Sequence, residues 1–203
     1  MINLKGQIAI ITGGARGIGE SICEVFCKAG ATVALWDVLE EGVHTAARIS
    51  KAGGTIFFQK VDVTSKDAVE NAVAEIIAHH GKIDILINNA GKLINKPFPE
   101  LTSDDFLEVY KVNVFGVAEI TKGILPFLQR GSHVVTMSSM GGIQGSMMFG
   151  GLAAYSSAKG AVITLSELLA EEYKEQQIAF NVLAIGAVQT EMLAEAFPDY
   201  KAP

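Results

Sequence analysis

The stretch Ile8–Gly19, IAIITGGARGIG, runs from an unbroken apolar strand into a turn rich in glycine and then into a helical pattern. Gly13 and Gly17 permit a tight turn, and Gly19 removes a side chain where the helix must lie close to the sheet. The backbone N–H groups at the start of that helix, with Arg16 and Ile18 on the same turn, suit a pyrophosphate. Both the helix dipole and the unsatisfied donors favour negative charge there. A glycine trio alone is weak evidence, so the surrounding context matters. A second strand, TVALWD, follows and ends in Asp37, 18 residues after Gly19. A carboxylate at that place accepts hydrogen bonds from the ribose hydroxyls of an adenosine and repels a 2′-phosphate. The residues therefore point to NAD rather than NADP, although Arg16 pulls the other way because a guanidinium grips a phosphate well. Asp37 has a second reading, as the N-cap of the helix opening at VLEEG.

Outward from this turn the chain alternates short β-branched runs with segments of helix length. QIAIIT, TVALWD, TIFFQKVDV, DILINNA, SHVVTMSS and IAFNVLAIG read as strands. Strands so continuously apolar are buried on both faces, which predicts a parallel, doubly wound α/β sheet with helices above and below. Thr64 with Asp67, and Thr102 with Asp105, are expected helix N-terminal caps. One long helix is expected over 103–129, with more apolar surface than one sheet would cover; it is either a buried core helix or, with a helix over 154–175, part of a subunit interface. Nothing resembling a linker, repeat or low-complexity run divides the chain, and one domain over residues 1–203 is expected.

Composition narrows the class of function. Of the 203 residues, 49% are hydrophobic and 19% charged, as in ordinary globular proteins, and the formal charge of −6 argues against nucleic acid or an anionic membrane as partner. The N-terminus lacks the features of a leader, and no run approaches the length of a membrane span, so a cytoplasmic protein is expected. Cys23 and Cys27 share a helix face and read as small buried apolar residues. His44, His79, His80 and His133 lack spaced partners, and no metal site is expected.

Further strand ends bear on the same ligand edge. Asp62 is placed to bond an adenine amino group, with Val63 packing on the ring. Asn88 and Asn89 can tie neighbouring strands while Ala90 and Gly91 leave room for the nicotinamide ribose; Asn88 reads equally well as purely architectural. In LAAYSSAKGA, Leu152–Ala161, Tyr155 and Lys159 stand four apart and share a helix face. A nearby ammonium is expected to lower the phenol pKa from its usual value near 10 and so make it a base at neutral pH. By itself such a pair is more often a surface pair.

Taken together these motifs resemble the short-chain dehydrogenase/reductase family, over nearly the whole chain. TGGARGIG, Asp37, Asp62 with Val63, Asn88–Gly91, Asn113 in YKVNVFG, Ser138 and Ser139, and Tyr155 with Lys159 stand in the family's order. The resemblance implies a Rossmann-like sheet of strand order 3-2-1-4-5-6 and nicotinamide-dependent interconversion of an alcohol and a carbonyl. It implies Tyr155 as the acid/base, Lys159 at the nicotinamide ribose, and Ser139 rather than Ser138 on the substrate oxygen. It implies Asn113 as the residue that bends a helix and anchors a water, Val188 and Thr190 as cofactor contacts after the sixth strand, and a homodimer or homotetramer. The chain departs from the family in three places. Ser139 and Tyr155 are 16 apart, a few more than usual, with Met147, Met148 and Phe149 in the extra length, lining a substrate pocket or packing on a neighbouring subunit. Ile185 stands where the family has proline before Gly186. If the protein ends at Pro203, the usual seventh strand and covering helices are missing. The competing function is a non-catalytic nucleotide-binding or scaffold protein; intact Ser139, Tyr155 and Lys159 argue against it.

Overall fold

A computed structural model describes residues 2–146 and 148–202. Met147, one of the three residues named for the extra segment, lies outside the described residues. Six strands form one parallel sheet: β1 (Ile8–Thr12), β2 (Thr32–Asp37), β3 (Thr55–Lys60), β4 (Ile85–Asn88), β5 (His133–Ser139) and β6 (Ala179–Ile185), in the order β3-β2-β1-β4-β5-β6. The chain reverses direction across the sheet between β1 and β4, and there the strand ends open a crevice, the place where ligands bind in open sheets of this kind.

All five residues of β1 are buried, because apolar helices cover both faces. One face packs Ile10, Trp36, Leu86 and Val134 under α3 (Lys66–His80) and α5 (Val117–Ile124); the other packs Ala9, Ile11, Leu35 and Ile87 with Cys23 of α1 (Gly17–Lys28) and Ile49 of α2 (Glu41–Lys51). Each such buried aliphatic side chain contributes about 1.5–3 kcal/mol. Cys23 and Cys27 are free thiols within the second layer, and burial pushes both well above the ordinary thiol range, so they are inert apolar filling.

Two expected caps resolve differently. Thr102 and Asp105 form a reciprocal capping box at α4 (Ser103–Tyr110). At α3 the cap is Ser65, whose Oγ accepts from Ala68 N at 3.3 Å; Thr64 is instead drawn into a turn by Asp62, whose Oδ1 accepts from both Thr64 N and Thr64 Oγ. That turn also ends β3 at Lys60, earlier than the run to Val63 suggested.

The expected single helix over 103–129 is four pieces: α4, a π-helical segment Lys111–Gly116, α5, and a 3-10 turn Leu125–Phe127. Asn113 accounts for the widening. Its Nδ2 donates to Val109 O at 2.8 Å, occupying the carbonyl that a regular turn would give to a backbone N–H, and to Lys92 O at 2.7 Å. Beyond β5 the chain makes α6 (Ala153–Glu172), and beyond β6 the short α7 (Glu191–Ala196). Among the described residues no helix is long and apolar enough to cross a membrane.

Candidate active site

The glycine turn is fixed from beneath by a buried hydroxyl. Thr12 Oγ1 accepts from Asn89 N and Ala90 N, both at 3.0 Å, and donates to Ile87 O, so the ends of β1 and β4 are tied. The Asn89 amide then reaches back to Thr12 O and Gly13 O at 3.0 and 3.1 Å. Asn89 is therefore a positioning residue of the turn. Its neighbour Asn88 is buried and donates to Thr121 Oγ1, while its Oδ1 has no hydrogen-bond partner. A methyl group at Gly19 would fall 2.0 Å from Gly13 O, and one at Gly13 would fall 2.9 Å from Ala90 Cα; Gly13 and Gly17 also take positive φ. No side chain caps α1, which leaves its first N–H groups for a ligand. The cradle thus has the shape and donors a pyrophosphate requires.

Asp37 is 9% exposed and is not the cap of α2, whose N-cap is Glu40. Its Oδ2 accepts from Ala15 N and its Oδ1 from Leu39 N, both at 3.0 Å, which holds the carboxylate beside the glycine turn. Arg16 reaches across to Glu195 at 3.7 Å. Asp62 is exposed and Val63 buried beneath it; both line the same cavity as the turn, as do Ala90, Gly91, Ile18, Val188 and Thr190. Thr190 caps α7 and lies over Gly17, to which its methyl and the Glu191 carboxylate are the nearest neighbours. Glu191 is a residue sequence reasoning passed over; its only signal was an acid in the first turn of a helix just after the last strand.

The other end of this cavity of about 650 Å³ holds Ser139, Tyr155 and Lys159. Ser138 is buried and spent, its Oγ donating to Lys159 O at 2.8 Å, whereas Ser139 at the strand's end is only partly buried and caps the turn that follows by accepting from Gly141 N. Lys159 is 5% exposed; its Nζ donates to Met137 O at 2.7 Å and lies 5.6 Å from the centre of the Tyr155 ring. Burial pulls this ammonium down to about 8 and pushes the Tyr155 phenol up to about 12. The expected lowering of the phenol is thus reversed. Removing the phenol from water disfavours phenolate, and the ammonium donates to Met137 O.

Asn113 Oδ1 is buried without a hydrogen-bond partner, although both protons of its amide are used. A methyl group at Gly91 would lie 3.0 Å from Asn113 Oδ1 and 3.8 Å from Lys159 Nζ, so the two polar atoms flank the same small space. A water there would satisfy the orphaned acceptor. Among the described residues no three His, Cys, Asp or Glu side chains cluster as a metal site requires.

A glycine turn at the switch point of a parallel sheet, with one cavity running from Asp37 to Tyr155, defines a Rossmann-like dinucleotide-binding protein. The chain belongs to the short chain dehydrogenase family, whose model matches residues 7–201. It is 31% identical over 201 residues to an uncharacterized oxidoreductase, YhdF, of Bacillus subtilis, covering 98% of this chain and 68% of that protein. It is 32% identical to the 3-oxoacyl-[acyl-carrier-protein] reductase FabG of Chlamydia muridarum, covering 93% of this chain and 77% of the relative. Among solved structures, a dehydrogenase/reductase from Sinorhizobium meliloti superposes with a TM-score of 0.89 at 31% identity, over 94% of this chain and 75% of the other. A short chain dehydrogenase from Burkholderia cenocepacia in complex with NADP gives 0.87 at 30% identity, over 94% and 78%. Membership of this oxidoreductase family accounts for a site shaped for a nicotinamide dinucleotide.

Proposed function

We propose that this chain is an oxidoreductase that moves hydride between NAD and a secondary alcohol or ketone, with Tyr155 as the acid/base. The observation that carries the reading is the meeting of Ser139, Tyr155 and Lys159 in one cavity with the glycine turn and Asp37. Bound along that cavity, the nicotinamide ring supplies or accepts the hydride. Gly13, Gly17 and the start of α1 hold the pyrophosphate, Asp37 the adenosine ribose, and Asp62 with Val63 the adenine side. Lys159, whose Nζ rests on Met137 O, would be the residue to hold the second ribose.

Ser139 donates a hydrogen bond to the substrate oxygen and stabilises the charge that gathers on it. Tyr155 is a neutral, protonated phenol at neutral pH, the more so because burial pushes it up to about 12, and it donates its proton as a carbonyl is reduced. Lys159, held near 8, and a water on Asn113 Oδ1 return a proton to it. In the oxidation direction the same steps run backward.

Asp37 favours NAD over NADP, because its carboxylate occupies the turn that a 2′-phosphate would approach. Arg16, which would grip that phosphate, is paired with Glu195. A relative's structure binds NADP, so the preference is a property of these side chains and not of the family. The outward faces of α4, the π-helical segment and α6 carry exposed Leu107, Phe115 and Leu168, a surface suited to a second copy in a homodimer or homotetramer.

The test is oxidation of NADH and of NADPH by the purified chain against a panel of ketones. Turnover with NADH preferred at least tenfold in kcat/KM supports the reading. Tight cofactor binding with no turnover on any ketone would establish the scaffold alternative instead, and a preference for NADPH would remove Asp37 from its role.

A further inference from the structure

Between Ser139 and Tyr155, Met140, Gly141, Phe149 and Leu152 are built into the cavity wall. Lys96 N donates to Gly151 O at 2.9 Å, and Gly151 admits no side chain, because a methyl group there would fall 2.0 Å from Asn95 Oδ1. The other end of the same amide, Asn95 Nδ2, donates to Ala196 O at the close of α7. One side chain thus joins the loop after β4, the segment between Ser139 and Tyr155, and α7. The joint brings Phe149 against two rings that follow α7: Phe197 at 6.2 Å, tilted by 56°, and Tyr200 at 6.0 Å, edge-on at 73°.

These rings line the cavity and do not belong to either core layer. Phe149 is 47% and Tyr200 37% exposed, so an apolar surface is left facing water inside a site. The neighbouring walls are Met140, Leu152, Met192 and Leu193. Of the charged side chains bordering the cavity, Lys159 at the substrate end is buried with its Nζ on Met137 O, and the others are engaged elsewhere or stand at the nucleotide end. Lys92 pairs with Glu108, Arg16 with Glu195, Glu191 faces Gly17, and Asp37 and Asp62 lie at the adenosine side. Among the described residues no charge remains to receive a phosphate or carboxylate on a substrate.

We infer that Phe149, Phe197 and Tyr200 form an aromatic clamp that selects a neutral ketone or alcohol bearing an aryl group. The inference rests on the reading of this cavity as the site of hydride transfer. Edge-on rings leave an open ring face beside a ring edge, the arrangement a third planar ring joins with more gain than an alkyl chain of equal area. The clamp acts on specificity and leaves the proton path of Tyr155 and Lys159 untouched.

The probes are acetophenone and 2-butanone, each measured in two ways on the wild-type chain, Phe149→Leu and Tyr200→Leu, with thermal melts to verify folding. Turnover is followed with saturating NADH; binding is followed by calorimetry on the NADH complex of Tyr155→Phe, with and without the clamp substitutions. The wild type is expected to prefer acetophenone in kcat/KM, and Phe149→Leu to reduce that preference about tenfold, a typical value of one pocket contact. Binding of acetophenone should weaken in parallel while that of 2-butanone changes little. Selective binding without turnover in the wild type would sustain the clamp and overturn the proposed reaction. Turnover of both ketones with a ratio unaltered in both variants would overturn the clamp and leave the reaction standing. Neither selective binding nor turnover would overturn both.

Discussion

The two ends of the cavity are built differently. At the nucleotide end the side chains that shape the turn have fixed partners: Thr12 Oγ1 holds three backbone groups, Asn89 and Asp37 hold two each, and glycines stand where a single methyl would strike backbone. At the substrate end the wall consists of aromatic and aliphatic side chains on connecting segments and a six-residue helix, with Met140, Phe149 and Tyr200 exposed and Met192, Leu193 and Phe197 half-buried. The first end recognises one invariant ligand and is formed before it arrives, which lowers the ordering cost of binding. The second end, where a substrate would bind, is shaped by connecting segments and a short helix, the parts of a fold that vary most readily.

The sharpest way to break this comparison is at the chemistry itself. Tyr155→Phe should cut kcat by about 10³-fold or more, since an acid/base group contributes 10²–10⁴, while the dissociation constant for NADH shifts by less than about threefold. A comparable loss in both quantities would mean that Tyr155 serves binding rather than proton transfer. Glycines give the next contrast. Gly19→Ala must displace Gly13 O and should destabilise the protein by about 1–3 kcal/mol and abolish cofactor binding. Gly150→Ala, at the substrate end, meets nothing within 4 Å and is expected to leave stability within about 1 kcal/mol of wild type. Denaturant melts with and without NADH measure both.

A third prediction concerns pH. Lys159 is held near 8 in the folded chain and titrates at its ordinary 10.5 when unfolded, so the unfolded state carries more protons between those values. Stability without cofactor should therefore rise with pH from 8 toward 10, and is lost again as pH falls through 8. The full contribution is roughly 3–4 kcal/mol. Tyr155 opposes it only above pH 10, where the unfolded phenol ionises and the buried one does not. Lys159→Met should flatten the rise between pH 8 and 10 in melts of the ligand-free protein; an unchanged slope would show that Lys159 is solvated. The smallest expected effect is at Glu191, whose carboxylate faces the turn intended for a pyrophosphate. Glu191→Gln should tighten NADH binding about two- to fivefold and reduce its dependence on salt, read by titration at low and high ionic strength.

The same contrast explains what was legible in the sequence. The strands, their parallel order and the glycine turn were readable because local signals agree with the fold: apolar runs with period, glycines at fixed offsets, an acid at the end of β2. Tyr155, Lys159, Ser139 and Asn113 stood out by motif; the first three line one cavity, and Ser138, the rival of Ser139, donates its hydroxyl to Lys159 O. The break of the long helix was only half legible. Asn113 announced a bend, but the π-helical turns depend on Lys92 O arriving from another loop. The shift of the Tyr155 phenol was misjudged for a related reason. Spacing puts the ammonium on the same face but does not say that Met137 O holds it, nor how far burial outweighs its charge. Phe149 was legible as a candidate for the pocket wall, but its meeting with Phe197 and Tyr200 was not, because the three are separated in sequence and the loops that carry them are joined through Asn95; Glu191 carried no signal beyond its helix position.

Whether hydride and proton take separate routes can be read from one labelling experiment. The wild-type chain is incubated with acetophenone and NADH carrying deuterium at the transferring position of its nicotinamide ring, and the alcohol is examined by mass spectrometry and NMR. The account predicts one deuterium on the carbinol carbon, with the hydroxyl proton drawn from solvent through Tyr155 and the label absent when Tyr155→Phe replaces the wild type. An alcohol whose carbinol carbon carries solvent hydrogen, or equal labelling by Tyr155→Phe, would contradict it.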